Sequence, residues 1–128
     1  MRSNGRGEAS GSGVVRTADA LSHVRWQTDE AIALPIGAVR ASGDASVQVR
    51  SPQRLAVVGD VDAQIDRVRQ VIVEALASAL AGMEATADDL HARRDEITSL
   101  TLVSANMKLG ALGAALLELR IGDMMLDR

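Results

Sequence analysis

Residues 45–83 read ASVQVRSPQRLAVVGDVDAQIDRVRQVIVEALASALAGM, and the hydrophobic period changes inside this stretch. Ala45, Val47 and Val49 alternate with Ser46, Gln48 and Arg50, the pattern of a strand with one buried face. Ser51-Pro52 ends that strand, because proline cannot donate to a ladder. Beyond Asp60 the spacing becomes helical: Val61, Ile65, Val68, Ile72, Leu76, Ala79 and Met83 recur at intervals of three and four and form one apolar stripe. Asp62, Asp66, Arg69 and Glu74 fall off that stripe. Asp60 is the expected N-cap, Asp60 and Asp62 place negative charge at the positive end of the helix dipole, and Gly82 marks the expected stop.

Working outward, IALPIGAV from Ile32 to Val39 is a short apolar run interrupted by Pro35, which suits an edge strand or a bend. Ser42-Gly43-Asp44 reads as a turn between that run and the strand from Ala45. On the other side, Thr86 is the expected N-cap of a second helix, with Asp89 three positions on completing a capping box. That helix is expected to run through Leu90, Ile97, Leu100, Val103 and Met107, with Met107 read as core filling, and to stop near Gly110 or Gly113. After Gly113, LLELRIGDM alternates again, with Leu117, Leu119 and Ile121 on one face and Glu118 and Arg120 on the other. The expected order is strand, strand, helix, helix, strand, a small α/β (α+β) domain over residues 32–128. Residues 1–13 are Gly- and Ser-rich, a flexible tail, and residues 14–31 read as either a linker or a short helix with Trp26 near its end.

Composition excludes several classes of function. The 128 residues carry 14 basic and 17 acidic side chains, a formal net charge of −3, which argues against nucleic-acid binding. Trp26 is the only aromatic residue, so base-stacking platforms are missing as well. There is no cysteine, and His23 and His91 are the only imidazoles, so no thiolate chemistry or multi-histidine metal site is expected. Ser46, Ser51, Ser78, Ser99 and Ser104 lack the surroundings of a nucleophilic serine. The N-terminus MRSNGRGEASGSG has no apolar segment of a secretory signal, and no apolar stretch reaches membrane-span length, so a cytoplasmic protein is expected. No catalytic residue, cofactor or metal is expected.

Three further features carry candidate contacts. His91 has Asp95 at i+4, and His23 has Asp19 at i−4; both pairs have general-base geometry on a helix, although mixed charge is more often a solvated face. Arg93-Arg94-Asp95-Glu96 carries both signs, which suits docking between identical subunits better than binding an anionic lipid. Met124-Met125-Leu126 cannot all point to one side of a strand, so at least one is expected on the surface. Residues 1–54 carry seven arginines against five acids, and residues 55–128 seven basic against twelve acidic groups, a polarity that favours head-to-tail self-association.

The order of elements and three segments resemble the stomatin/prohibitin/flotillin (SPFH, band 7) superfamily. VRASGDASVQVRSPQRL, Val39 to Leu55, is similar to the family's strand that ends in a "V-x-D-P" turn before a helix, with Ser51 where the family commonly has Asp. IVEALASALAGMEATADDLHARRDEI, Ile72 to Ile97, resembles its long helix and "T/S-x-x-D/E-L" connection, through Thr86 and Asp89-Leu90, then the "R-D/E-x-I" opening of the next helix at Arg94 to Ile97. LGAALLELRIGDMML, Leu112 to Leu126, looks like its closing strand, through Gly113, Leu116, Leu119, Ile121 and Asp123. Trp26-Gln27-Thr28 stands where the bacterial virion-core-like branch has a Trp-Gly-Thr segment. The resemblance covers roughly residues 26–126 and implies a minimal or partial domain of a flotillin-like scaffold. It implies homo-oligomers, or assembly with an SPFH-type partner protein, that organise membrane-associated assemblies, with peripheral attachment to the inner face of the membrane. The expected protein-binding interface is Arg93, Arg94, Asp95, Glu96, Met124, Met125 and Leu126. The competing expectation is a soluble adaptor that binds one protein by strand addition at the sheet edge near Ile32 to Ile36.

Overall fold

A computed structural model describes residues 21–127. The expected tail over residues 1–13, Asp19 and the first part of the 14–31 segment lie outside the described residues. The chain forms β1 (Val24–Gln27), β2 (Ile32–Leu34), β3 (Gly37–Val49), α1 (Pro52–Ala56), α2 (Val61–Gly82), α3 (Asp89–Ala92), α4 (Arg94–Leu112) and β4 (Ala114–Asp127). The mixed α/β class is the one expected, with one more strand and two more short helices than the sequence pattern suggests.

β3 is the axis of an antiparallel sheet. One of its edges pairs with β4 along almost its whole length, and the other carries β2 and β1 end to end. Thr28 closes the gap between those two short strands: its N–H donates to Ala41 O (2.9 Å) and its hydroxyl accepts from Ala41 N (3.2 Å). On β3 the odd residues Val39, Ala41, Ala45 and Val47 face the core. α2 covers the β1 and β2 side and α4 covers β4, and the two helices pack on each other.

The handover read at residues 49–61 is present. Ser51 caps α1 by accepting from Arg54 N (3.3 Å), with Pro52 in the first turn, so Ser51 does the capping work that Asp would do. Asp60 caps α2 by accepting from Ala63 N (2.9 Å), and Val68, Ile72, Leu76 and Ala79 of the expected stripe are buried.

Four readings are corrected. First, Ser42-Gly43-Asp44 is not a turn: β3 runs through it. The glycine is there for close approach, because a Cβ at Gly43 would lie 2.0 Å from Arg120 O and 3.0 Å from the Trp26 ring. Second, Trp26 does not end a helix but lies in β1, opposite Gly43, and its buried indole N–H donates to Asp44 O (3.3 Å). The folded body therefore includes β1 and the fully buried Leu21, ahead of the expected start at Ile32.

Third, β4 does not alternate simply. Its register against β3 slips between Ser46 and Val47 and again between Ser42 and Gly43, leaving Leu117 and Gly122 as extra residues. Leu116 and Leu119 are thus both buried, whereas Leu117 is 60% exposed. Fourth, the second helix breaks at Arg93, whose backbone leaves helical values (φ −112°, ψ 29°). Ile97, Thr101, Ala105 and Leu109 form the buried face of α4, while Leu100, Val103 and Met107 point outward. Both rows fit helical spacing. Thr101 and Ala105 are weakly apolar, so the sequence pattern favours the wrong row; burial is possible because the Thr101 hydroxyl donates to Ile97 O (2.8 Å).

Candidate functional site

The start of the second helical segment is a fixed charged corner. Thr86 and Asp89 cap each other: Asp89 Oδ2 accepts from Thr86 N (2.9 Å) and Thr86 Oγ1 accepts from Asp89 N (3.3 Å). This capping box is the one read from the sequence. The Thr86 N–H, with Arg93 nearby, holds the Asp89 carboxyl below its ordinary pKa. Arg93 lies 3.7 Å from Asp89 and also pairs with Glu96, whose carboxylate holds the guanidinium above its ordinary value. The box therefore stabilises the fold above the ordinary pKa of Asp89 and loses that contribution as pH falls through its depressed value. Replacing Asp89 with Asn is expected to lower Tm at neutral pH, with the gap to wild type narrowing as acid drives the pH down through the ordinary carboxylate range and below it. Melting curves across that range check this.

Arg94 has a different role from its neighbours. Its guanidinium reaches β4 and donates to Ile121 O (3.2 Å from Nε) and to Gly122 O, the backbone of the second bulge. On the same side of α4, the Asn106 carboxamide clasps Leu116, with Leu116 N–H donating to Oδ1 (2.6 Å) and Nδ2 donating to Leu116 O (3.1 Å). Both Leu116 backbone groups thus point away from β3, along the edge of β4 that has no strand neighbour among the described residues. Arg69 does the same at the opposite margin, where its Nε donates to Arg25 O on β1 (2.8 Å). Helix side chains thus guard β4 and β1, and guarded edges resist strand addition.

Asn106 and Arg69 in this role have no sequence signature. A lone Asn in the middle of a helix, a poor helix former at a position off the core, is the only hint. Asn106→Leu is expected to leave two backbone groups of Leu116 unpaired at about 1–3 kcal/mol and to open the edge to other chains. Turbidity and thioflavin fluorescence on warming should rise above wild type.

The remaining expected contact residues separate. Asp95 and Glu96 are exposed at the start of α4, and Arg93 is half-buried between its two carboxylates. In Met124-Met125-Leu126, Met125 is 64% exposed while Met124 and Leu126 pack against the core. Met107, read as a core residue, is 77% exposed. With Val103 (62%) and Leu100 (42%) it makes an apolar stripe on the side of α4 opposite its buried face. A helix apolar on both sides is characteristic of a covered helix rather than a surface one.

His91 does not form its candidate pair with Asp95, and the candidate partner of His23, Asp19, lies outside the described residues. The helix breaks at Arg93, between His91 and Asp95. His23 lies 3.3 Å from Asp44 across the β1–β3 ladder, on the surface. No group of three or more metal-ligating side chains occurs among the described residues. An open cleft of about 1320 Å³ runs between β1 and α2, walled by Arg25, Asp29, Glu30, Asp66, Arg69 and Glu74. His91 is not on its wall, and these six side chains are all exposed. No helix among the described residues is long and apolar enough to cross a membrane.

No family model matches the chain, and no curated protein matches it. The functional reading therefore rests on the surface just described.

Proposed function

We propose that this chain is a non-enzymatic scaffold domain of SPFH type, which self-associates and organises protein assemblies at the cytoplasmic face of a membrane. The observation that carries the self-association is the exposed stripe Leu100, Val103 and Met107 on α4. Three large apolar side chains one turn apart favour a covering partner, whereas single exposed apolar residues such as Val57 need none. Support for the SPFH type comes from the chain order, a long strand ending at Val49 to Pro52, two long helices joined through Thr86 and Asp89, and a closing strand from Ala114. Attachment to the membrane in this reading is peripheral or through a partner.

A single-partner adaptor is the second reading, favoured by the outer edge of β2, which has no strand neighbour among the described residues. That edge is three residues long and followed by Pro35, a short platform for strand addition. Light scattering after size exclusion separates the two: the scaffold gives a mass several times 13.4 kDa, the adaptor gives 13.4 kDa alone. Flotation with vesicles, with and without anionic lipid, tests the membrane component.

A further inference from the structure

The cleft between β1 and α2 has chemistry of its own. We propose that it binds an extended peptide segment of a partner protein, which pairs antiparallel with the outer edge of β1 and carries a basic residue four positions before an acidic one. This surface is distinct from α4 and from the β2 edge, and it serves whether or not copies of the chain associate.

The backbone of β1 supplies the first observation. Thr28 N–H donates to Ala41 O, so Trp26 and Val24, two and four residues earlier in the same ladder, also turn their backbone groups toward β3. Arg25 and Gln27 turn theirs away from it, and Arg69 takes Arg25 O from that side (2.8 Å). The guard on β1 ends at that group. Gln27 N–H and C=O point out from the sheet where Gln27 lines the cleft, and neither has a hydrogen-bond partner among the described residues. One residue of an antiparallel strand satisfies both groups, whereas a parallel strand would need two.

The dimensions agree. The volume of about 1320 Å³ exceeds the roughly 300–1,000 Å³ of a small-ligand pocket and suits a length of chain. Trp26 from β1 and Val73 from α2 add apolar wall to it.

Charge gives the direction. Along α2 the ionic side chains are already matched, Asp66 with Arg69 (3.3 Å) and Glu74 with Lys108 (3.4 Å). Asp44, opposite Arg25 on β3, lies 3.3 Å from His23. Among the described residues, the lining groups left without an ion pair are Arg25 near one end of β1 and Asp29 and Glu30 beyond the other. An antiparallel segment runs from the Asp29 and Glu30 end toward Arg25. Its residue opposite Gln27 has one neighbour two positions earlier beside Asp29 and another two positions later beside Arg25, all on one face. Opposite charges across a ladder attract and like charges repel, so the earlier residue is basic and the later one acidic.

Two blocked peptides of identical composition test this on the full chain: acetyl-Lys-Val-Thr-Val-Glu-amide and its charge-reversed form, acetyl-Glu-Val-Thr-Val-Lys-amide. Amide spectra by NMR give the outcome residue by residue. The Lys-first peptide is expected to shift the Gln27 and Arg25 amides saturably and to bind more tightly than the Glu-first peptide. Asp29→Asn with Glu30→Gln should weaken it about two- to fivefold. The triple variant Arg25→Glu, Asp29→Lys, Glu30→Lys alters only exposed side chains and should reverse the preference, with amide positions elsewhere in the sheet unchanged. Equal binding of the two peptides, or no binding of either, would overturn the proposal. A wild-type preference for the Glu-first order would mean parallel pairing and overturn it as well. Shifts centred on Ala33 would seat the peptide on β2 instead. An affinity that falls as protein concentration rises would assign the cleft to a second copy, and either result rejects a partner peptide on β1.

Discussion

Gly43→Ala is expected to cost roughly 3 kcal/mol or more, the upper range for overpacking, and to lower Tm by roughly 10 °C or more. The added methyl would sit 2.0 Å from Arg120 O, a backbone atom of the paired strand, and 3.0 Å from the Trp26 ring. Neither neighbour can swing aside: Arg120 is in the β3–β4 ladder and Trp26 is 2% exposed. The strands must part or the indole must leave its site. Gly122→Ala is the internal control, since Gly122 is the extra residue of the same bulge. Its added methyl would meet Ser42 O at 3.6 Å, an ordinary contact. A cost at Gly43 no larger than at Gly122 would contradict the close approach of β1, β3 and β4. Thermal melts of the two variants decide it.

The second large effect is expected at Trp26. Truncation to Ala removes the largest side chain in the core and its hydrogen bond to Asp44 O, at about 3–5 kcal/mol. Stabilities of natural domains lie near 5–15 kcal/mol, so the variant should be partly unfolded at physiological temperature. Trp26→Phe keeps most of the apolar volume and loses the hydrogen bond, at about 1 kcal/mol. Trp26 is the only aromatic residue, so wild-type fluorescence reports this site alone. Emission should be that of a buried indole and should shift to the red in a single step with global unfolding. A shift that precedes loss of the circular dichroism signal would place Trp26 in a separately melting segment and contradict its role in the core.

What was legible in the sequence was local. The Asp60 cap, the buried stripe of α2, the Thr86–Asp89 box and the strand end at Ser51-Pro52 all depend on residues within a few positions of one another, and their chemistry is visible in the text. The misreadings came from contacts across long separations. Gly43 resembled a turn glycine because the constraint on it is Arg120, which lies on another strand. Leu117 seemed to belong to the buried face because a bulge, set by pairing with Ser46 and Val47, shifts the alternation.

The candidate interface divided for the same reason. Three adjacent apolar residues, which no strand can bury together, imply that at least one of Met124, Met125 and Leu126 is exposed, and the exposed one is Met125. Nothing near Arg94 in the sequence indicates that it holds a β4 bulge, so charge substitutions there would disturb the fold as well as any interface. The stripe on α4 is visible in the sequence as an apolar pattern, and Met107 reads as a core residue. A sequence that offers two apolar faces on one helix does not say which is inside. The small residues Thr101 and Ala105, which let α4 approach its neighbours closely, look weaker than the Leu100, Val103 and Met107 they displace.

The outer face of α4 is the proposed meeting surface between copies of this chain. Sedimentation velocity over a wide concentration range, on wild type and on Val103→Glu, tests it most directly. Val103 is 62% exposed, so the substitution should leave the unfolding free energy within about 0.5 kcal/mol of wild type. Wild type is expected to move to species heavier than 13.4 kDa as concentration rises, and Val103→Glu to shift sharply back toward 13.4 kDa. Superimposable distributions for the two proteins, assembled or monomeric, would contradict it.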